Sequence, residues 1–412
     1  MAKRPLGKSN KLVNVRYDIR GPVNDEAQRM EANGIDVLKM NIGNPAAYDL
    51  RAPDEIVVDM IYNLRDSEGY SVSKGLFSAR KAIMQYCQNK RIPDVGMEDI
   101  YTGNGVSELI NISMEAMLND GDEVLVPMPD YPLWTASIVL AGGKAVHYRC
   151  VEENNWYPDL EDMRKKVTDR TKAIVVINPN NPTGVLYPVE ILKGIVDIAR
   201  ENGLVICADE IYDRLVMDGK EHVALASLAP DLLVLCYNGL SKSHRVAGFR
   251  SGWLCLAGDK SGAEEYISGL NLLASLRLCS NVPGQSIIQT AIGGYQSSSE
   301  LVAPGGRLYE QRQFIWSALN SIPGVSAVKP DAAFYIFPKI DTGMYRIEND
   351  DDMAMDMLHE VKMLVTTGTA LNWDKPDHLR FVYLARIAVL EEAMNRFETY
   401  LKTIRRKGPV KK

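Results

Sequence analysis

The chain has 412 residues, of which 46% are hydrophobic and 24% are charged, and its formal net charge is −6. These values are typical of a soluble globular protein, and the length fits about two domains. The acidic balance argues against a nucleic-acid-binding protein, which usually carries a surplus of basic residues.

The first residues show no pattern of a targeting segment. Residues 1–11 are basic and polar and lack the apolar run of a signal peptide. No stretch approaches the roughly 18 continuous apolar residues of a transmembrane helix, so we predict no membrane span. The six cysteines form no Cys-x-x-Cys pair, and the five histidines lack metal-ligand spacing. The sequence therefore predicts a cytoplasmic protein with reduced thiols and no metal.

Between residues 100 and 260, short apolar runs alternate with helical stretches. Residues 189–201, for example, carry apolar side chains at helical spacing. The apolar runs are apolar throughout rather than alternately, which is typical of strands buried on both faces. The pattern predicts an α/β fold with a mostly parallel central sheet sandwiched by helices, and ligands at the carboxyl ends of its strands. The clearest predicted strands are residues 123–127, 173–177, 204–208 and 232–236.

Beyond residue 300 the pattern changes to that of a smaller α+β domain. Helical spacing covers residues 307–319, 352–361 and 388–404, and residues 330–338 have the composition of a strand. We predict three parts: an N-terminal arm with part of the small domain (1–49), a large domain (50–295) and a C-terminal small domain (296–412).

Two turns stand out among the predicted loops. The first, Gly103-Asn104-Gly105, opens a predicted helix, where free backbone N–H groups can bind phosphate. The second, residues 178–184, reads Asn-Pro-Asn-Asn-Pro-Thr-Gly, and its prolines predict a rigid turn that fixes the amide of Asn181. Taken alone, each of these turns is usually only a loop and does not indicate a binding site.

Two charged groups follow predicted strands. Asp209, with Tyr212 three residues later, ends one strand, and a carboxylate there can pair with a protonated ring nitrogen. Lys242 follows the next strand in the run Asn-Gly-Leu-Ser-Lys, and Arg250 lies eight residues beyond it with a planar fork suited to phosphate. Taken singly, a lysine or an acid after a strand is most often a solvated loop residue.

Together, these motifs in this order and spacing resemble the class I/II aminotransferases of pyridoxal-phosphate (PLP) fold type I. Within that family the chain is most similar to the alanine (glutamate–pyruvate) aminotransferases. The resemblance runs from Tyr-Asp-Ile-Arg-Gly-Pro at residues 17–22 and Asn-Ile-Gly-Asn-Pro at 41–45 to Asp-His-Leu-Arg at 377–380. It therefore covers nearly the whole chain.

The resemblance implies a catalytic role for three residues. Lys242 holds PLP as a Schiff base and moves the proton, Asp209 pairs with the pyridinium nitrogen, and Tyr212 contacts the phenolic oxygen together with Asn181. Tyr131 stacks on the ring. The residues implied at the cofactor phosphate are Gly105, Val106, Ser107, Ser241 and Arg250, joined by Tyr70, which reaches the partner subunit's site.

The resemblance also implies how substrate binds. Arg380 grips the substrate α-carboxylate, with help from Asn181 and the backbone of Gly43, and Arg20 and Tyr17 lie on a segment that covers the substrate. The implied substrates are alanine, glutamate, pyruvate and 2-oxoglutarate, in a ping-pong reaction that alternates PLP with pyridoxamine phosphate. The implied assembly is a homodimer with shared active sites.

Three positions depart from the family pattern. Ala385 stands where relatives carry proline, His244 where an aromatic residue is common, and Ala332 in place of a glycine. We expect the first two to border the substrate pocket, so they bear on substrate choice rather than on PLP chemistry.

Several alternatives remain open from the sequence. One is an aminotransferase for aspartate, branched-chain or aromatic amino acids, and another is a PLP-dependent C–S β-lyase with the same lysine, aspartate and arginine. A PLP-binding regulator would need room for a DNA-binding domain that the short N-terminal arm does not offer. A nicotinamide dehydrogenase would need a dinucleotide fingerprint, and the sequence has none.

Overall fold

The computed structural model describes residues 6–13, 15, 17 and 21–405. Its α-helices are α1 Pro22–Ala32, α2 Asp54–Asn63, α3 Phe77–Asn89, α4 Val106–Met117, α5 Leu133–Leu140, α6 Leu160–Lys166, α7 Val189–Asn202, α8 Glu264–Leu276, α9 Val282–Ser286, α10 Ile288–Gly293, α11 Ser298–Val302, α12 Arg307–Ser321, α13 Asp350–Val361 and α14 Ile387–Thr403. Its strands are β1 Leu38–Lys39, β2 Ile100–Asn104, β3 Glu123–Met128, β4 Lys144–Val151, β5 Tyr157–Pro158, β6 Thr171–Ile177, β7 Val205–Asp209, β8 Val234–Gly239, β9 Ser251–Ala257, β10 Val325–Ser326, β11 Tyr335–Ile336, β12 Lys339–Ile340, β13 Met363–Leu364, β14 Thr366–Thr367 and β15 Leu379–Val382.

An eight-stranded sheet forms the centre of the larger part, in the order β2-β9-β8-β7-β6-β3-β4-β5. The neighbours β8, β7, β6, β3 and β4 run parallel, whereas β9 and β5 run antiparallel to the strands beside them. Alternate residues of β7 enter two different apolar clusters, Ile206 on one face and Cys207 on the other. The mostly parallel, doubly covered sheet predicted from the sequence is therefore confirmed.

The residues at their ends explain where the crossover helices begin and end. Helix α7 follows Pro188, buries Leu192, Ile195 and Ile198 on one face, and ends at Gly203, whose φ of 62° suits glycine. Such crossovers bring the carboxyl ends of β6, β7 and β8 to the same edge of the sheet. That edge carries the site described below.

The residues beyond 300 form a second core. Helices α12, α13 and α14 pack around the sheet β11-β15-β14, and Met40 and Leu50 from the N-terminal region join the same cluster. The helices predicted here are confirmed within a few residues. The predicted strand at 330–338 shortens to β11, because Ala333 adopts φ 60° and turns the chain before it. The division at residues 49/50 and 295/296 stays a prediction.

Five of the six cysteines are buried, and all six are free thiols. No helix in the described part of the chain is both long enough and apolar enough to cross a bilayer. Over those same residues, no group of three His, Cys, Asp or Glu side chains is arranged to hold a metal ion.

Candidate active site

A cavity of about 610 Å³ opens at the carboxyl edge of the central sheet, between that sheet and β11-β15-β14. It is large enough for a ligand of cofactor size. Most residues singled out from the sequence line it: Tyr17, Gly43, Val106, Ser107, Tyr131, Asn181, Asp209, Tyr212, Ser241, Lys242, Arg250 and Arg380.

Lys242 lies directly after β8, and its side chain crosses the cavity. The Nζ atom donates to the backbone carbonyl of Gly43 at 3.0 Å and lies 5.8 Å from the centre of the Phe334 ring. Gly43 must be glycine, because a Cβ atom there would overlap the hydroxyl of Tyr335. The amine is thus held by a single neutral acceptor, which leaves it free to exchange that partner for a ligand.

Asp209 ends β7 and is 4% exposed. One carboxylate oxygen accepts from the indole N–H of Trp134 at 3.1 Å, and the other accepts from the backbone N–H of Ile211 at 3.4 Å. Burial raises the pKa of Asp209 to about 6, and these donors and the charge of Lys242 offset only part of that rise. A carboxylate in this state strongly favours a cationic partner.

Two tyrosines line the wall beside Asp209. The hydroxyl of Tyr212 donates to the hydroxyl of Tyr335 at 3.0 Å, and both side chains are buried. Burial and the neighbouring Tyr335 raise the pKa of Tyr212 well above its usual value. Tyr212 therefore keeps its proton at neutral pH and can act as a hydrogen-bond donor to a ligand oxygen.

The turn at residues 178–184 holds Asn181 in place. The side chain of Asn180 accepts from the hydroxyl of Thr183 at 2.8 Å, and that of Asn178 accepts from the backbone N–H of Tyr187 at 2.8 Å. With its neighbours fixed, Asn181 presents its carbonyl oxygen to Arg380 at 3.0 Å. The rigid turn predicted from the sequence is present.

Arg380 lies in the middle strand of its sheet and is 2% exposed. Its guanidinium donates to Asn181, to the backbone carbonyl of Asn41 at 2.6 Å and to the hydroxyl of Thr366 at 3.3 Å. It also stacks on Tyr335 at 4.6 Å. Among the described residues the Nε–H has no partner, and all three acceptors are neutral. A buried cation surrounded by neutral groups is a site for an anion, and a planar fork suits a carboxylate.

A second anion site lies at the start of α4. Gly105 precedes the helix with φ 76° and no side chain caps its first turn, so the helix amides are open to a ligand. The guanidinium of Arg250 crosses Gly105 closely enough to exclude a Cβ atom there, and it donates to the carbonyls of Asn104 and Ala247. The hydroxyls of Ser107 and Ser241 line the same end of the cavity. This corner matches a phosphate dianion.

Tyr131 and Tyr17 lie together over the cavity. Their hydroxyl oxygens are 2.9 Å apart and their rings meet edge to face, with centroids 6.3 Å apart. Three of the predicted residues are not among those that line the cavity in the described part of the chain: Tyr70, Arg20 and Gly105, which precedes α4 behind Arg250. Tyr70 lies outside the cavity and is 82% exposed, and Arg20 falls outside the described residues.

The expectation that His244 and Ala385 border the pocket is wrong, because neither side chain lines the cavity. The His244 ring lies within hydrogen-bonding distance of the Ala291 carbonyl on α10, 2.8 Å away, and so faces away from Lys242. Ala385 packs into the second core, where its carbonyl accepts from Gln311 at 2.6 Å.

Two residues of the site were not predicted from the sequence. Trp134 supplies the donor to Asp209, and Tyr335 contacts both Tyr212 and Arg380. Each acts on a residue far away in the chain, so no local pattern marks it. For Trp134, the one usable signal is that a buried indole N–H needs an acceptor.

Comparison with known proteins places these features in a family. Residues 35–397 match the model of "Aminotransferase class I and II". The chain is 58% identical to the glutamate-pyruvate aminotransferase AlaA of Escherichia coli strain K12 over 96% of this chain and 98% of that protein. It is 52% identical to an alanine aminotransferase of Mycobacterium tuberculosis strain H37Rv over 98% and 94%. A crystal structure of an Escherichia coli aminotransferase superposes with a TM-score of 0.97 at 57% identity, covering 98% of this chain and all of that one.

Proposed function

The chain belongs to the class I and II aminotransferases, and from that premise we propose that it is an alanine (glutamate–pyruvate) transaminase. The enzyme uses PLP. The observation that carries the proposal is the convergence of Lys242, Asp209 and Arg380 on one cavity. Each supplies a different requirement of amino transfer: an amine, a partner for a ring cation and a binder of the α-carboxylate.

The cavity fits PLP group by group. The α4 amides and Arg250 suit its phosphate, Asp209 suits its protonated ring nitrogen, and the Tyr212 hydroxyl suits its phenolic oxygen. When bound, PLP supplies a carbonyl carbon that joins amines and a ring that accepts electrons from the carbon–nitrogen system. We assign the stacking face of the ring to Tyr131, which is partly buried and lines the cavity.

The chain's own groups then perform the proton movement. The amine of Lys242 would hold PLP covalently, and with an amino acid bound it would be the group that carries a proton to and from the substrate Cα. Arg380 orients the substrate by its carboxylate, so that the Cα–H bond faces the lysine. Asp209 keeps the ring nitrogen protonated throughout, because its buried charge is stabilised by that proton.

The proposal is tested by adding single amino acids to the PLP-loaded protein and following its visible absorbance. L-Alanine and L-glutamate are expected to convert bound PLP to pyridoxamine phosphate, and pyruvate or 2-oxoglutarate to reverse the change. Faster conversion by aspartate, leucine or phenylalanine would assign a different specificity. Release of pyruvate from cystathionine without amino transfer would assign the C–S β-lyase reaction instead.

Replacing Asp209 with Asn is expected to weaken PLP binding and to stabilise the cofactor-free protein at neutral pH. Because the pKa of Asp209 is raised by folding, its ionised form destabilises the cofactor-free fold above about pH 6, by about 3 kcal/mol at pH 7. The higher free energy of unfolding of the variant disappears below about pH 4, because there the Asp209 carboxyl of the parent protein is protonated in both the folded and the unfolded state. Loss of the bond to a charged ring lowers PLP affinity by roughly 10- to 100-fold.

Absorbance titration of the cofactor-free protein with PLP, and urea unfolding at pH 7 and pH 4, measure these two effects. Asp231→Asn is the matched control, since Asp231 pairs with Arg200 and its pKa is lowered rather than raised. The control keeps the PLP affinity of the parent protein. An Asp209→Asn protein with unchanged PLP affinity would exclude the ring-nitrogen assignment.

We propose a homodimer in which Tyr70 contacts the phosphate bound by the partner subunit. Tyr70 lies on a stretch whose apolar side chains point into solvent, an unusual surface for a monomer. The exposed members of that stretch are Val58, Ile61, Tyr62, Leu64, Tyr70, Val72 and Phe77. Because all six cysteines are free thiols, we place the dimer in a reducing compartment, the cytoplasm.

Mixing two inactive variants tests the shared site. Subunits with Tyr70→Ala lack the residue given to the neighbour, and subunits with Lys242→Ala lack their own lysine. A hybrid dimer contains one site with both residues intact. When equal amounts reassemble at random, about half of the dimers are hybrids, and each hybrid has one native site out of two. The mixture is therefore expected to recover about a quarter of the native activity. Activity no higher than the average of the two variants would place Tyr70 in its own subunit's site or in none.

A further inference from the structure

A buried ionic cluster surrounds His378, two residues before Arg380. The imidazole is fully buried, and its Nδ1 lies 2.7 Å from a carboxylate oxygen of Asp377. Its Nε2 faces Glu152 at 3.5 Å, which is within ion-pair distance although no hydrogen bond forms. The cluster has no part in the reaction described above.

Aromatic side chains fix the orientation of this imidazole. Phe337 stacks on it with centroids 4.8 Å apart, and Trp156 and Trp373 meet it edge to face at 5.3 and 5.1 Å. The indole of Trp373 also donates to Asp377 at 2.8 Å. The ring therefore has one orientation in which both nitrogens face carboxylates.

The cluster holds three carboxylates, those of Asp377, Glu152 and Glu153, and its charges come closest to balance when His378 is protonated. Lys339 pairs with Glu152 at 3.1 Å and with Glu153 at 4.0 Å, and the imidazolium adds a second positive charge between Asp377 and Glu152. Burial lowers the pKa of His378, but the hydrogen bond to Asp377 and the negative charges of Asp377 and Glu152 outweigh burial, and the net pKa lies above its usual value. As the pH rises through that pKa the imidazolium is lost, and the carboxylates flanking it are left without its charge.

The cluster joins the two halves of the molecule next to the substrate arginine. Glu152 follows β4 of the central sheet, whereas Lys339 and His378 form a β-bridge beside β15. Residues two apart in an extended chain point to the same face, so His378 and Arg380 both face the central sheet. There His378 meets Glu152 and Arg380 meets Asn181.

We propose that His378 is a positioning residue for Arg380. The imidazolium pairs with Glu152, which follows β4, and so fixes the position of the start of β15. The guanidinium of Arg380 is thereby held where it can bind the substrate carboxylate. The proposal rests on the proposed function, because it assigns Arg380 to that carboxylate. A purely structural role of His378 would not make substrate affinity depend on pH. The positioning role predicts that replacing His378 changes substrate affinity by an amount that depends on pH.

The test replaces His378 with Asn in the PLP-loaded enzyme. At pH 6.5 the KM for L-alanine is expected to rise about tenfold with kcat changed less than about twofold, because binding rather than chemistry is affected. The ratio of variant to native KM then falls toward one as the pH rises, since the native enzyme loses the same charge. The titration of the substrate amine cancels in this ratio. 2-Methylalanine has no Cα–H to lose, so it reports binding without proton transfer, and its binding is measured by absorbance. The ratio of its dissociation constants in variant and native enzyme is expected to change with pH in the same way as the KM ratio.

A second variant and a control complete the experiment. Glu152→Gln, at the partly exposed edge of the cluster, removes the cross-link even if His378→Asn fails to fold, and it raises the KM in the same pH-dependent way. His359→Asn is the control, since His359 is exposed and pairs only with Glu26 on the surface. If the native enzyme does not transaminate alanine, the proposed function fails. If it does, and both cluster variants keep the native KM or a ratio constant with pH, only the positioning role fails.

Discussion

Replacing Lys242 with Ala is expected to end repeated turnover, lowering kcat by at least about 10⁴-fold. The amine of Lys242 is the basic nitrogen that donates to the Gly43 carbonyl inside the cavity, and alanine provides neither a covalent anchor nor a proton carrier. The fold tolerates the change, because within the described part of the chain the lysine makes one hydrogen bond to a neutral carbonyl and no ion pair. Steady-state transfer from L-alanine to 2-oxoglutarate measures the loss.

Borohydride reduction followed by mass spectrometry gives a second reading of the same prediction. The native protein is expected to retain the cofactor on the peptide that contains Lys242, and the variant to retain none. Lys172→Ala, a half-exposed lysine beside Asp122, is the control and keeps both properties. A Lys242→Ala enzyme that completes many turnovers at the native rate would remove the central assignment.

Replacing Arg380 with Lys is expected to lower kcat/KM for L-alanine by roughly 10²- to 10³-fold. Lysine keeps the charge but loses the planar fork that reaches Asn181 and Asn41 at once, and it cannot stack on Tyr335 in the same way. The substrate carboxylate then loses both its bidentate partner and its fixed direction. Most of the effect is expected in KM, measured with L-alanine and with L-glutamate.

An amine without a carboxylate provides the internal control. Ethylamine cannot use Arg380, so its slow reaction with bound PLP is expected to be nearly equal in the native and Arg380→Lys enzymes. Arg396→Lys, a surface arginine paired with Glu392, leaves both substrates unaffected. Equal losses for alanine and ethylamine would show that Arg380 supports the fold of the cavity rather than the carboxylate.

The two charged residues that the sequence placed after predicted strands, Asp209 and Lys242, both line the cavity. Asp209 and Lys242 follow runs of buried apolar residues, and parallel topology brings such positions to one edge without further information. The pairing of Asp209 with Trp134 and that of Tyr212 with Tyr335 join residues 75 and 123 positions apart. Contacts of this kind depend on how elements pack, which periodicity does not encode.

The remaining differences have the same origin. Residues 330–338 have a strand composition, yet Ala333 turns the chain at φ 60° because this segment must wrap around the turn near Gly184. His244 was expected in the pocket on the basis of its distance from Lys242 in sequence. Its ring instead faces Ala291, since the chain after Lys242 turns and directs successive side chains to different sides. Nearness in sequence was a poor guide to nearness in the cavity.

The three-residue segment Asn41-Ile42-Gly43 has a geometric consequence for substrate choice. One end of it accepts from the guanidinium of Arg380 and the other accepts from the amine of Lys242. A short piece of backbone thus links the position of the carboxylate binder to that of the reactive nitrogen. We therefore expect an α-amino acid such as L-alanine to convert bound PLP faster than its isomer β-alanine, whose amino group lies one carbon further from the carboxylate.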